Sequence, residues 1–386
     1  MPAQPPPHIS VEERRMRIAA VAERIHQAGM NGILLSATTS LRYFTGIAWH
    51  PSERFLGALV HADGEISYIT PRFELGKVSS LISIAGEVLT WEEDESPYEL
   101  IGARLGKAGF IGLDPHMPLF MYQGLRAVVG DGRLADAGPL VAGLRSRKSP
   151  AEIALMAHAK SITLEVHRRA WARLREGVRA SEIARFIDAE HRTLGEAGST
   201  FCIVSFAEDT SLPHGGETDR SLKGGDVVLI DTGTQIDGYN SDITRTYVFG
   251  EAATDVRQVW AVEKEAQGAA FAAAQIGRAC ESVDAAAREV IERAGFGPGY
   301  RLPGLPHRTG HGIGLDVHEA PNLVRGDTTL LEPGMCFSNE PMIVVPGRFG
   351  VRLEDHFYMT KNGPRWFTEP QASLEEPFAN APVFNI

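Results

Sequence analysis

Two carboxylates flank a turn in the stretch GGDVVLIDTGTQIDGYNSDITRTYVFG, which begins at Gly224. The run Val227-Val228-Leu229-Ile230 is apolar and β-branched and ends in Asp231; Asp237-Gly238 is a hairpin turn signal; and Ile243, Thr244, Thr246, Tyr247 and Val248 restore strand composition just after Asp242. Two antiparallel strands follow from this pattern. Whether the turn centres on Ile236-Asp237 or on Asp237-Gly238, Asp231 pairs with Asp242 or with its neighbour two residues on, so strand alternation puts both carboxylates on one face. Two like charges held that close need a cation between them; on this stretch alone, two unrelated surface aspartates flanking a turn are the other reading.

Three further groups stand late in the chain, each beside an apolar, strand-like segment: His311 in RTGHGIGLDVHE, Glu340 in FSNEP and Glu354 in VRLEDHF. Two Asp, two Glu and one His make a set dominated by hard oxygen donors, and bridging carboxylates each serve two ions. The set therefore suits a pair of divalent cations, manganese first, with cobalt or zinc as alternatives. A structural zinc site would instead bring cysteines at paired spacing. His307 and His311 form H-x3-H, but the helical zinc-protease pair needs Glu directly after its first His. Arg308 stands there, and the glycines at 310, 312 and 314 break the helix that motif requires. No G-x-S-x-G elbow is present, and Cys336 reads as core.

Around these five stand secondary candidates. His214 lies in the loop Pro213-His214-Gly215-Gly216, and His318 follows His311 on the far side of a Gly-rich turn. Read alone, both are loop histidines that reach a cleft or water. Arg352 precedes Glu354 by two residues and so shares its strand face, where a guanidinium fork holds a substrate carboxylate or orients the metal ligand. Tyr239, Asp316 and His307 are candidates for outer partners that orient the ligands.

The elements that must position these groups fall into two parts. After a Pro-rich arm, MPAQPPPHIS, expected to be loose, Val11 to Met30 reads as a helix with Ile18, Val21, Ala22 and Ile25 on one stripe. Gly32 to Ser36 reads as a buried strand, and Phe55 to His61 and Glu65 to Thr70 as a hairpin about Asp63-Gly64. Ser149, Pro150 and Glu152 supply the N-cap, first position and capping-box carboxylate of a long helix; further helices are expected over Ser181 to Glu196, Thr254 to Ile276 and Val283 to Ala294. The chain thus divides into an α/β domain over residues 1–145 and a domain over residues 146–386 in which helices cover an antiparallel sheet, an α+β chain as a whole. No short solenoid repeat is visible.

Composition sets the outer limits. With 386 residues, 43% of them hydrophobic and 23% charged, the chain is long enough for two domains with their own cores. A formal charge of -11 argues against nucleic acid or an anionic membrane as partner, since both reward clustered Lys and Arg. Three scattered cysteines, Cys202, Cys280 and Cys336, do not make a disulfide framework and fit a reducing compartment. The N-terminus has no basic-then-apolar leader and no run reaches the ~20 apolar residues of a membrane span, so a cytoplasmic enzyme is expected.

The ordered motifs LPHGG (Leu212 to Gly216), LIDTGT (Leu229 to Thr234), SDITRT (Ser241 to Thr246), HRTGHGIGLDVHE (His307 to Glu319), NEP (Asn339 to Pro341) and RLED (Arg352 to Asp355) span most of the C-terminal part. Together they resemble the pita-bread metallohydrolases, which include prolidase, Xaa-Pro aminopeptidase, methionine aminopeptidase and creatinase. The resemblance implies that Asp231 chelates one metal, His311 and Glu340 the other, and that Asp242 and Glu354 bridge both. It implies that Glu340 relays the proton of the nucleophilic water, and that His214, His318 and Arg352 form the catalytic and substrate-binding layer.

The residues before 146 then correspond to the creatinase-like N-terminal domain that methionine aminopeptidases lack, and five intact ligands disfavour creatinase. What remains is cleavage before proline, as an Xaa-Pro dipeptidase or, alternatively, an Xaa-Pro aminopeptidase on longer peptides. Two readings stay open beside these: hydrolysis of a non-peptide amide, as in ectoine-hydrolase-like relatives, and an inactive pita-bread binding protein. The resemblance further implies a homodimer in which an N-terminal-domain loop of one subunit approaches the partner's active site. Here that loop is Thr45 to Arg54, with Trp49, His50 and Arg54; read alone it is an ordinary surface loop. The family fold pairs two αβ halves about a pseudo-twofold axis, which the sequence itself does not display.

Overall fold

The stripe Ile18, Val21, Ala22 and Ile25 is buried along helix α1 (Val11–Gln27), whose N-cap Ser10 accepts from the Glu13 amide at 3.1 Å. In the computed structural model, which describes residues 5–105, 109–195 and 197–379, this helix opens the first of two compact units, Ile9–Arg145. The second unit runs from Ser146 onward and includes the residues up to His8. Residues 5–10 have no regular structure, as expected of the arm, but His8 Nδ1 stands 3.4 Å from Asp237 Oδ1. The first four residues of the arm, and Glu196 at the expected end of the second long helix, lie outside the described residues.

The first unit continues through β1 (Met30–Ser36), α2 (Thr39–Thr45), β2 (Gly57–His61), β3 (Ile66–Pro71), α3 (Leu75–Leu81) and β4 (Glu87–Trp91). It is completed by α4 (Pro97–Leu105), β5 (Phe110–Leu113), α5 (Leu119–Val129), β6 (Leu134–Asp136) and α6 (Gly138–Arg145). The strands form one mixed sheet in the order β4-β3-β2-β1-β5-β6, in which β1, β2 and β3 are antiparallel neighbours and the outer pairings are parallel. The expected hairpin is β2–β3. Leu34, Leu59, Ile69, Ile111 and Leu125 fill a core against which Tyr98 and Met117 pack; each fully buried aliphatic side chain contributes roughly 1.5–3 kcal/mol.

The second unit begins with α7 (Pro150–Arg173), whose Ser149–Glu152 capping box is complete, and α8 (Ala180–Leu194). Strands β7 (Phe201–Phe206), β8 (Val227–Gly233), β9 (Gln235–Ile236), β10 (Tyr239–Asn240) and β11 (Ile243–Val248) follow, then α9 (Thr254–Ala273) and α10 (Glu281–Arg293). The chain ends in β12 (Gly310–Gly312), β13 (Glu319–Leu323), β14 (Cys336–Asn339), β15 (Met342–Val345), β16 (Phe349–Arg352), β17 (Asp355–Thr360) and β18 (Gly363–Trp366). The ladders β11-β8-β7, β13-β12-β14-β17-β18, β9-β10 and β15-β16 are antiparallel throughout. Helix α7 packs on β8 to β11, α8 on β7, α9 on β14 to β16 and α10 on β13. Val227 and Leu229 enter one apolar cluster with Trp260, Phe337 and Phe357, and the same strand face continues from them to Asp231. Among the described residues, no helix is long and apolar enough to cross a membrane.

Candidate metal centre

The turn of the β9–β10 hairpin is Asp237-Gly238, both with positive φ (46° and 81°), the backbone that a two-residue hairpin favours. That turn sets the register below it: Asp231 faces Thr244 and Thr232 faces Ile243. Of the two pairings open to sequence, the structure has the one with the neighbour two residues on, and alternation puts Asp242 beside Asp231. Both carboxylates are buried. A Cβ at Gly233 would stand 2.0 Å from the Ser241 carbonyl, so the close approach of the strands between the two aspartates needs glycine.

His311 enters from β12. Its ring Nδ1 lies 2.9 Å from the Gly312 carbonyl, which fixes Nδ1 as the donor and leaves the Nε2 lone pair for the site. Nε2 is 3.1 Å from Glu340 Oε1 and 3.7 Å from Asp242 Oδ2. Ser338, on β14, accepts from the His311 amide at 2.9 Å and donates to Glu340 Oε1 at 3.2 Å. Glu354 departs from the reading of a strand shared with Arg352: β16 ends at Arg352, and Leu353-Glu354 form a break before β17. The break is held from outside. Arg245 donates to the Glu354 carbonyl at 2.8 Å, the Glu354 amide donates to the Thr244 carbonyl at 3.1 Å, and Gln267 donates to the Leu353 carbonyl at 3.1 Å. The buried Arg245–Asp355 ion pair, at 2.7 Å, closes that frame.

The donor atoms converge. Those of His311, Glu340 and Glu354 lie within 4.8 Å of one another, and the same holds for Asp242 with His311 and His318, and for Asp242 with Glu354 and His356. Burial, and then the neighbouring charges of Asp231 and Glu340, push the Asp242 carboxyl well above the usual range; burial and Asp242 do the same to Glu354. Asp231 is also raised by burial, with Arg352 countering part of it. At Glu340, burial is outweighed by the His311 contact and its carboxyl is held low. Ionised, as cation binding requires, these four carboxylates against the guanidinium of Arg352 would put three net negative charges in one space. Asp231 Oδ1 and Glu354 Oε1 find no hydrogen-bond donor in the protein. Orphaned carboxylate oxygens beside the His311 imidazole fit hard divalent cations, which would supply the missing positive charge.

Thr244, which sequence reading passed over, ties the two sets together: its hydroxyl donates to Glu354 Oε2 at 2.7 Å and accepts from Arg352 Nε at 3.0 Å. Arg352 also donates to Asp231 Oδ2 at 2.5 Å and to the Pro213 carbonyl at 3.1 Å, so every guanidinium nitrogen is engaged with protein. That last bond brings the loop of His214 to the site, and His214 itself is exposed. His318 stands on the exposed rim with its ring edge-on to His311 at 4.2 Å. Its pKa is lowered to about 4, by partial burial of the ring first and then by His311 and Arg308, so it is neutral at pH 7.

The outer candidates divide. Tyr239 donates to Glu152 Oε1 at 2.8 Å and secures the start of α7. The Asp316 carbonyl accepts from Gly314 at 3.0 Å and its amide donates to Glu319, which shapes the turn between His311 and His318. His307 has a buried Nε2 without a partner. In the first unit, Arg54 is bound to Glu93 at 2.8 Å and, with Trp49, His50, Phe73 and Lys77, lines a cavity of about 350 Å³. Lys160 and Asn240 were also missed: buried Lys160 donates to the Asn240 carbonyl at 3.1 Å, and the Asn240 amide group donates to the carbonyls of Gly314 and Leu315 at 3.0 and 2.9 Å. No sequence pattern links α7 to that turn. His356 did leave a signal, standing two residues past Glu354 at strand spacing.

Residues 154–361 match the model of metallopeptidase family M24, and residues 17–147 that of the creatinase/prolidase N-terminal domain. The chain is 36% identical over 357 residues to a probable dipeptidase PepE of Mycobacterium tuberculosis, covering 92% of this chain and 93% of that one. It is 33% identical to an Xaa-Pro dipeptidase of Lactobacillus helveticus, over 88% of this chain and 93% of the relative. The crystal structure of dipeptidase PepE from Mycobacterium ulcerans superposes with a TM-score of 0.90 at 34% identity, over 96% of this chain and 99% of that one.

Proposed function

This chain belongs to metallopeptidase family M24, with the two-domain pita-bread architecture, and from that premise we propose that it is a dinuclear metal-dependent Xaa-Pro dipeptidase. The observation that supports the proposal is the convergence of donor atoms of Asp242, His311, Glu340 and Glu354, with Asp231 beside Asp242, on one space short of positive charge. Names of the relatives, dipeptidase and Xaa-Pro dipeptidase, support the substrate class.

In this proposal Asp231, Asp242, His311, Glu340 and Glu354 would together hold two divalent cations, manganese being the first choice, with cobalt or zinc next. Bound divalent ions polarise a peptide carbonyl and acidify water. The protein groups then act around them. Glu340, facing His311 Nε2 at 3.1 Å, accepts the proton of the attacking water and passes it to the leaving nitrogen. His318, neutral at pH 7, donates its N–H to the carbonyl oxygen as negative charge develops there. His214 contributes from the loop that Arg352 ties down. Arg352, whose nitrogens are spent on Asp231, Thr244 and Pro213, orients a ligand instead of binding the substrate carboxylate.

Three free thiols support a reducing, cytoplasmic setting, and the family resemblance supports a homodimer, which light scattering on purified protein checks. The decisive experiment compares Xaa-Pro dipeptides with Xaa-Pro tripeptides in the presence of manganese. Proline release from dipeptides with tripeptides left intact is expected. Equal cleavage of tripeptides would move the reading to an aminopeptidase. Stoichiometric metal without hydrolysis of the Xaa–Pro bond in either would discard peptide cleavage before proline.

A further inference from the structure

We propose that His356 is an additional nitrogen donor of the centre, directed at a cation that Asp242 and Glu354 also hold. The inference rests on the metal-centre reading above and goes beyond its five ligands. His356 lies on β17 opposite Ser338. Ser338 contacts both His311 and Glu340, so cross-strand neighbours place His356 on the face turned to the site. The two imidazole rings are 6.4 Å apart, and His356 is fully buried.

Neither ring nitrogen of His356 has a hydrogen-bond partner in the protein. Nε2 stands 3.9 Å from Glu354 Oε1, which is itself without a donor. Two orphaned atoms thus face one another in a buried space. The gap is too long for a hydrogen bond between them. It is the right gap for two atoms bound to one ion: metal–ligand bonds of about 2.0–2.2 Å put neighbouring donors roughly 3–4 Å apart. A ring nitrogen of His356 and the oxygens of Asp242 and Glu354 lie within 4.8 Å of one another, a triad that exists without His311. An unpaired buried polar group costs about 1–3 kcal/mol, and a cation between these atoms removes the cost for the ring and the carboxylate together.

The competing role is a positioning one, in which the ring shifts to donate to Glu354 and touches no ion. Proton NMR of the cobalt(II)-loaded protein separates the two, because only a coordinated imidazole gives a strongly hyperfine-shifted, solvent-exchangeable N–H resonance. Two such resonances are expected, from His311 and His356. One should vanish in His356→Asn or, if that variant folds poorly, in His356→Gln, with the affinity for one of the cations lowered at least about tenfold in chelator competition. A single resonance in the wild-type protein, unchanged in the variants, overturns the proposal and leaves the five-ligand centre standing. Failure of the wild-type protein to bind cobalt at all removes the metal centre itself, and this inference with it.

Discussion

Residues 150–248 and 254–360 are built to one plan: two packed helices, then antiparallel strands. Even the turns before their second helices agree. Gly177 donates to the Leu222 carbonyl at 2.8 Å and Gly277 to the Leu331 carbonyl at 2.9 Å, both glycines with φ of +79°. A Cβ on Gly233 would meet a cross-strand carbonyl at 2.0 Å, and one on Gly310 would meet another at 2.1 Å. The chemical loads differ. One half supplies Asp231 and Asp242 from a single hairpin, whereas the other supplies His311, Glu340, Glu354, Arg352 and His356 from separate strands and a break. A shared scaffold therefore permits unequal chemistry, with the carboxylate pair made locally and its counterparts made by tertiary assembly.

The largest effects should show both halves to be indispensable. Asp242→Ala and His311→Ala are each expected to reduce proline release to background and to abolish the rise in melting temperature on adding manganese. In the wild-type protein that rise corresponds to about 2.7 kcal/mol at a hundredfold excess over Kd. Retained metal stabilisation in either variant would show that one half suffices. Next, Gly233→Ala and Gly310→Ala should each cost about 3 kcal/mol in denaturant unfolding, because the colliding atom is backbone and cannot step aside. A cost confined to one would break the equivalence of the halves. His318→Ala sharpens the division of labour: turnover should fall roughly 10²–10³-fold while metal content by elemental analysis stays constant. Smallest, Gly177→Ala and Gly277→Ala meet open space but an unfavourable φ, so each should cost about 1 kcal/mol in thermal unfolding.

What could be read from sequence was what is encoded locally. The stripe of α1, the capping box at Ser149 and the Asp237-Gly238 turn depend on residues a few positions apart, and each formed where expected. Family motifs carried the five candidate ligands, since the residues beside each are themselves diagnostic. The break at Leu353-Glu354 was hidden because Arg245, Thr244 and Gln267, which hold it, are remote in sequence. The bond from Tyr239 to Glu152 was hidden for the same reason: Glu152 lies on α7, 87 positions earlier. The repeat of the halves, implied by the family resemblance alone, did not show in the sequence because equivalent turn glycines, and not a shared stretch of sequence, mark it.

Glu354 is seated by Thr244 and Arg245, which precede it by more than a hundred positions. On a ribosome, the hairpin with its paired aspartates emerges long before the glutamate that completes their enclosure. A centre of the proposed kind is therefore incomplete until residue 354 has emerged, and a chain truncated before it would lack one of the carboxylates that enclose the paired aspartates.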